Sequence, residues 1–430
     1  MTEESESVTE DLLRLGEEEN IFAIYGLSRN PFPSQELPEV TDISAYVKNV
    51  CIAVREKELR EIKEKFLDVA FGIGEEKGKA TNLWVHGELG VGKSAIIIFV
   101  YNLLKEYKSD IVVPLYIVSP GNGIDDIFND TVRQLGGPFF TRLAQRLLAK
   151  ILARHKDLIH SDDPEKVLEK ISDDPSIISD LIQKGVLDTE ELFQKALLEL
   201  SEGHIYVDDR MIKLVLQTVT DYEKSWGSIK NYPKKDRLDG LVTLFYLFSQ
   251  AGFRMTFLFI DQLEYSWRIW TKSKRDRFVM DVRELVQRSM PYLSVLCTSN
   301  TDLTEDIEVN HPTLLRPLPM TPGRVTVIRP LSKEQMRELV EFYLNLARIS
   351  KKSPELYPFT ESAIDFIYDR HNGVTGHVLA ACFELLNYAA RRKIEIIDEK
   401  VAKNWYMQRR EEEKETKERE IKIKDEDLLR

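Results

Sequence analysis

Cysteine is scarce in this chain of 430 residues: Cys51, Cys297 and Cys382 are the only three, far apart and without paired spacing. That excludes a disulfide framework and a cysteine-based zinc site, and it fits a reducing compartment. No uninterrupted apolar run approaches the roughly 20 residues a helical bilayer span needs. A basic leader is missing as well, since residues 1 to 20 hold eight acidic side chains against one arginine. Nor is there an excess of positive charge: Lys and Arg number 60, Asp and Glu 72, for a net −12. Such a balance excludes a surface that coats nucleic acid all over and leaves only local basic patches to look for. What is present, 43% hydrophobic and 31% charged residues, describes a globular chain of two or three domains, expected in the cytoplasm and not at a membrane. The abundance of Lys and Glu leans towards a thermophilic source.

The pattern along the chain changes several times. Residues 1–47 combine the acidic opening with "GLSRNPFPSQELP" and read as an extended arm that packs against something else. From Val50 to Phe71 apolar residues recur at helical spacing, "GIGEEKGK" breaks the pattern, and "NLWVHG" reads as a strand. A second strand, "IVVPLYIVS", follows the helix that starts near Gly92, and strand, helix, strand calls for a parallel sheet. Residues 121–239 read as helices broken by turns, a helical insertion. The sheet then resumes over 240–330 with "MTFLFID", "LSVLCTSN" and "RVTVIRPL". After Leu331, amphipathic segments at 332 to 349, 360 to 371 and 376 to 392 predict a helical lid spanning 331–404, with a charged tail over 405–430. The expected fold class is α/β, with the sheet core in two parts, 48–120 and 240–330.

The stretch "GELGVGKS", Gly87 to Ser94, satisfies G-x-x-x-x-G-K-[ST] between a strand and a helix, where a phosphate loop has to lie. In such a loop Gly87, Glu88, Leu89, Gly90, Val91, Gly92 and the first helical residues through Ala95 present backbone amides to phosphate oxygens. Lys93 reaches the outer phosphates and the Ser94 hydroxyl ligates magnesium. ATP with Mg2+ is therefore the expected cofactor. Asp261 ends the apolar run "TFLFI" and is expected at the carboxyl edge of the sheet as a direct or water-mediated magnesium carboxylate. The next position, which in many such ATPases is a glutamate that polarises the attacking water, is Gln262. A glutamine amide orients water but is no base. Glu264 either takes over that work or is a solvated loop acid, and the sequence leaves both readings open.

The order of "REKEL" (55 to 59), "GELGVGKS", "FLFIDQLE", "LCTSN" and "GVTGHVLAACFELL" resembles the AAA+ ATPases. The likeness is strongest to the initiator-like branch with the archaeal Orc/Cdc6-type proteins and the ExeA and transposition-regulator ATPases. "LFYLFSQAGFRMTFLFIDQLE" is more loosely similar to ATP-binding proteins of phage-defence (BREX) systems. The resemblance implies a P-loop NTPase with a helical lid. It implies that Asn300, ending "LSVLCTSN", matches the sensor 1 polar group, and that Arg316 or Arg324 matches the arginine finger given to a neighbouring subunit's ATP. At the sensor 2 position the usual arginine is missing and His377 stands near it. Proteins of the Orc/Cdc6 type usually carry a winged-helix domain after the lid, and the about 40 residues after Arg392 are too few for one.

Just past Asp261, "WRIWTKSKRDRFVMDVRELVQR" has seven basic residues between Arg268 and Arg288 against three acids, with Trp267 and Trp270 at its start. Arg268, Lys272, Lys274 and Arg275 are candidates for contacts with double-stranded DNA, the tryptophans offering stacking faces. Equally, this is a solvated helix face with tryptophans tucked into the core. In the insertion, Arg142, Arg146, Lys150 and Arg154 recur every fourth residue, as an ordinary amphipathic helix would place them. The expectation is an ATP-dependent switch with slow hydrolysis that assembles as a homo-oligomer or on DNA. Two alternatives stand beside it: a nucleotide-binding scaffold without turnover, and an ATP-sensing defence component that licenses a separate effector protein.

Overall fold

The structure is a computed structural model that describes residues 20–33, 53–73, 78–202, 204, 206–350 and 354–411. Contacts divide the chain into two compact units with interleaved segments. One takes Met1–Glu56, Leu89–Gly92 and Arg329–Arg430; the other takes Lys57–Glu88 and Lys93–Ile328. Among the described residues no helix is long and apolar enough to cross a membrane. Cys51 lies outside the described residues, while Cys297 and Cys382 are free, buried thiols whose pKa burial pushes up.

The larger unit is built on a five-stranded parallel sheet in the order β2-β3-β4-β1-β5. The strands are β1 (Asn82–His86), β2 (Val112–Val118), β3 (Met255–Asp261), β4 (Leu293–Ser299) and β5 (Val325–Val327). β3 and β4 are buried along their whole length, which is why "MTFLFID" and "LSVLCTS" are near-continuous apolar runs without alternation. β2 is an edge strand, which accommodates Pro114 and its missing N–H. Alternate residues of β3 serve the two faces. Phe257 and Phe259 meet Phe66 of the helical run 53–71, and Phe259 also meets Tyr101 of the helix Lys93–Tyr107. Leu258 and Ile260 join the opposite core.

That opposite core absorbs the segment read as an insertion. Its helices, among them Ile124–Leu135, Gly137–Arg154, Thr189–Ser201 and Asp209–Gln217, bury Phe128, Leu147, Leu192 and Met211 in one continuous cluster with Trp84, Leu258 and Val295 of the sheet. Three of the four basic residues of Gly137–Arg154 are spent locally, while Arg142 is exposed. Arg146 lies over the Phe253 ring, Lys150 donates to the Gln250 carbonyl at 2.7 Å, and Arg154 pairs with Glu199 at 2.6 Å.

The smaller unit has its own core. Helices Lys333–Ala347, Glu361–Arg370 and Thr375–Arg391 bury Met336, Val340, Ile364, Val378 and Leu385 together. The first opens with a capping box between Ser332 and Gln335, which satisfies two otherwise orphaned backbone donors. Residues 20–33, the described part of the arm, pack into this core through Tyr25, Leu27 and Phe32. A further helix runs over 399–411, and its Ala402 and Trp405 are core residues. The charged tail expected from 405 therefore starts too early: Trp405 is only 6% exposed, and the helix continues to the last described residue.

Candidate nucleotide site

In the larger unit the carboxyl ends of β1, β3 and β4 bring the expected residues together. Parallel pairing sets His86 opposite Ser299, and the Gly87 N–H donates to the Ser299 carbonyl at 3.1 Å. Lys93 opens the helix Lys93–Tyr107, with Ser94 and Ala95 half-buried behind it in the first turn. The Lys93 side chain is buried, and its ammonium donates to the carbonyls of Gly87 at 2.6 Å and Glu88 at 3.2 Å. Lys93 Nζ also stands 3.6 Å from Glu264 Oε1. Burial lowers the pKa of His86, whose Nδ1 is shared between the hydroxyls of Ser299 and Thr304.

Asp261 is fully buried and both of its carboxylate oxygens are engaged. Oδ2 accepts from the Tyr116 hydroxyl at 2.6 Å, and Oδ1 accepts from the Gln262 backbone N–H at 2.9 Å. Gln262 adopts a left-handed conformation, φ 55°, uncommon for a residue with a Cβ. Its N–H is also held by Thr298 Oγ1 at 2.9 Å, so two acceptors stabilise the strained turn. Immediately after that turn the helix Leu263–Ile269 begins, with Glu264 in its first turn. Glu264 is 4% exposed, and its Oε2 is buried without a hydrogen-bond partner. Glu264 is thus not a solvated loop acid. Tyr116 and Thr298, which position this strand end, carry no signal in the sequence because neither belongs to a motif.

The middle of the phosphate loop, Leu89–Gly92, belongs to the smaller unit. Gly90 and Gly92 both have positive φ, 82° and 102°. A Cβ on Gly90 would meet Val374 Cγ1 at 2.9 Å, so glycine is required there for space as well as conformation. The Gly376 N–H donates to the Gly90 carbonyl at 2.7 Å. His377 is exposed, and its Nε2 would lie 3.9 Å from that absent Cβ, which places it beside the loop. Arg55, in "REKEL", is buried against the Val91 carbonyl, a contact the sequence did not suggest.

The remaining candidates fall out differently. Asn300 is buried at the end of β4, but its Oδ1 caps the helix Thr301–Asn310 by accepting from the Leu303 N–H at 3.0 Å. Arg324 is bonded to Thr81 Oγ1 of its own chain, whereas Arg316 is exposed. In the basic stretch, Trp267 and Trp270 are each 4% exposed and serve the core, so of the two readings left open for them the core one holds and the stacking one does not. Arg268 pairs with Asp302 at 3.0 Å, and Arg275 pairs with Asp306 at 3.1 Å while donating to the Trp267 carbonyl. Lys272 and Lys274 are exposed.

A phosphate loop on β1, with an acid-ending β3 one strand removed across β4 in a parallel sheet, defines a P-loop NTPase fold. In overall fold the chain is similar to the Aeropyrum pernix ORC1 protein in complex with DNA, with a TM-score of 0.42 and 14% identity over 91% of this chain and 69% of that one. It is also similar to the Aeropyrum pernix ORC2 protein in ADPNP–ADP complexes, with a TM-score of 0.45 and 11% identity over 88% of this chain and 71% of that one. No protein-family model and no curated protein matches the chain.

Proposed function

We propose that the protein binds magnesium-ATP at Gly87–Ser94 and hydrolyses it slowly, with Glu264 as the residue that activates water. The observation that carries this reading is the state of the Glu264 carboxylate. One oxygen faces the Lys93 ammonium at 3.6 Å, and the other is buried with no partner. An unsatisfied buried polar atom costs about 1–3 kcal/mol, more when the group is charged, so it marks a place where a ligand or water supplies the missing bond. The residues fit the nucleotide: Lys93 meanwhile spends its donors on loop carbonyls that phosphate oxygens outcompete as charged acceptors. Ser94, with Asp261 through its remaining lone pairs, would hold magnesium, which when bound neutralises charge developing on the phosphates. Because Asp261 is already tied to Tyr116 and Gln262, it acts through water more readily than by direct ligation.

A second reading, a nucleotide-binding scaffold without turnover, is favoured by Gln262 in place of a glutamate. Turnover by three proteins separates the two. Glu264→Gln is expected to lose roughly a hundredfold in rate or more, the usual range for loss of a general base, with ATP affinity retained. Gln262→Glu is expected to change little. An unchanged rate in Glu264→Gln would refute the assignment; a parent that is inert until Gln262→Glu is made would establish the scaffold.

A further inference from the structure

Arg55 is the first residue of "REKEL", and its guanidinium has an unusual set of acceptors for a cation that is only 6% exposed. Nη2 donates to the Val91 carbonyl at 2.6 Å and to Thr375 Oγ1 at 3.4 Å, and Nη1 donates to the Arg329 carbonyl at 2.9 Å. Three chain segments of one unit therefore converge on one planar fork, which only an arginine side chain provides.

The Val91 contact matters because of peptide geometry. In a trans peptide the carbonyl of one residue and the N–H of the next point in opposite directions. The Gly90 carbonyl is taken by the Gly376 N–H and the Val91 carbonyl by Arg55. The N–H groups of the same two peptides, those of Val91 and Gly92, are therefore both turned away from these partners. Consecutive N–H groups presented by a backbone that passes through the left-handed region form an anion-binding concavity, and Gly90 and Gly92 supply the left-handed residues.

We propose that Arg55 is a positioning residue of the phosphate site: by holding the Val91 carbonyl it aims the Gly92 N–H at the bound phosphates, and it does so without touching nucleotide. This rests on the ATP-binding reading above. Because the loop amides cradle the inner phosphates that ATP and ADP share, Arg55 supports both nucleotides equally.

The test is titration of a fluorescent ATP analogue, and competition by magnesium-ADP, against the parent, Arg55→Gln, Arg55→Lys and Lys93→Ala, with melting temperature measured on each. Losing a charge-assisted bond to the loop is expected to weaken Arg55→Gln about ten- to a hundredfold for ATP and for ADP by the same factor. Arg55→Lys keeps the charge but cannot fork to Val91 and Arg329 together, so it falls between the two at a melting temperature near the parent's. Should Arg55→Gln not fold, Arg55→Lys decides alone: weakened binding without a lowered melting temperature supports the proposal, and parental affinity overturns it. If Lys93→Ala loses binding while the Arg55 variants bind as the parent does, the positioning role is wrong and the ATP reading stands. If Lys93→Ala itself binds as the parent does, the ATP reading fails and the role of Arg55 falls with it.

Discussion

At the scale of single residues, the candidate site shows a division of labour between two acids that leave the same strand. Asp261 is buried with each oxygen already accepting a hydrogen bond, so its charge helps to hold a strained turn; Glu264 is buried with one oxygen unsatisfied, so its charge is available. The sequence showed both acids and the glutamine between them, because strand-end acids announce themselves. It could not show which acid was free, since that depends on Tyr116 and Thr298, brought in from neighbouring strands. Tyr116 gives the division a direct test. Tyr116→Phe removes one donor from a buried carboxylate and is expected to cost about 1–3 kcal/mol of stability. Denaturant unfolding measures it, and a variant as stable as the parent would mean that Asp261 does not depend on this hydroxyl.

Among elements, the helices of the smaller unit were legible because each carries a full apolar stripe, as in "KEQMRELVEFYLNLA". The helix over 399–411 was not, because acids and bases crowd its second half and hide Trp405 and Tyr406 in an apparently solvated run. That residues 20–33 pack as part of an arm was legible, but which core they join was out of reach: Tyr25, Leu27 and Phe32 have no period to detect. A chain ending at 404 is expected to unfold more easily than one ending at 411, by about 3–5 kcal/mol, the cost of deleting a buried tryptophan. Equal stability of the two would show that Trp405 contributes nothing to that core. The same helix supplies Tyr406, whose hydroxyl lies 2.6 Å from His371 Nε2.

Burial, and then the charges of His377, Arg370 and Arg409, lower the His371 pKa from its ordinary 6.5. The unfolded chain therefore takes up that proton before the folded chain does. Stability from the neutral ring is fully present above about 6.5 and is lost as pH falls through that value towards the folded one. Melting temperatures at pH 7.5 and 5.5 should show this loss, and His371→Gln should show less of it. An equal drop in the variant would assign the effect elsewhere, with His86, lowered chiefly by burial, the next group to change.

For the whole molecule, the net charge of −12 sets the terms on which any polyanion is met. The stretch from Arg268 to Arg288 looked like a basic patch because sequence counts charges but not partners. In the fold its arginines are largely paired: Arg268 with Asp302, Arg275 with Asp306, Arg277 with Asp281 and Arg288 with Asp239. Arg275 also braces the Trp267 carbonyl, so changing it would disturb the core as well as the surface. The exposed Lys272 and Lys274, at the start of the helix Lys272–Ser289, are the cleaner probes. If this face meets duplex DNA, two lysines neutralise about two phosphates, and log affinity should fall with log salt at a slope of about −2. Lys272→Glu with Lys274→Glu should then abolish binding while melting temperature and nucleotide affinity hold. A slope several units steeper, or binding that survives the double change, would place the DNA contact elsewhere and leave this helix as a solvated face.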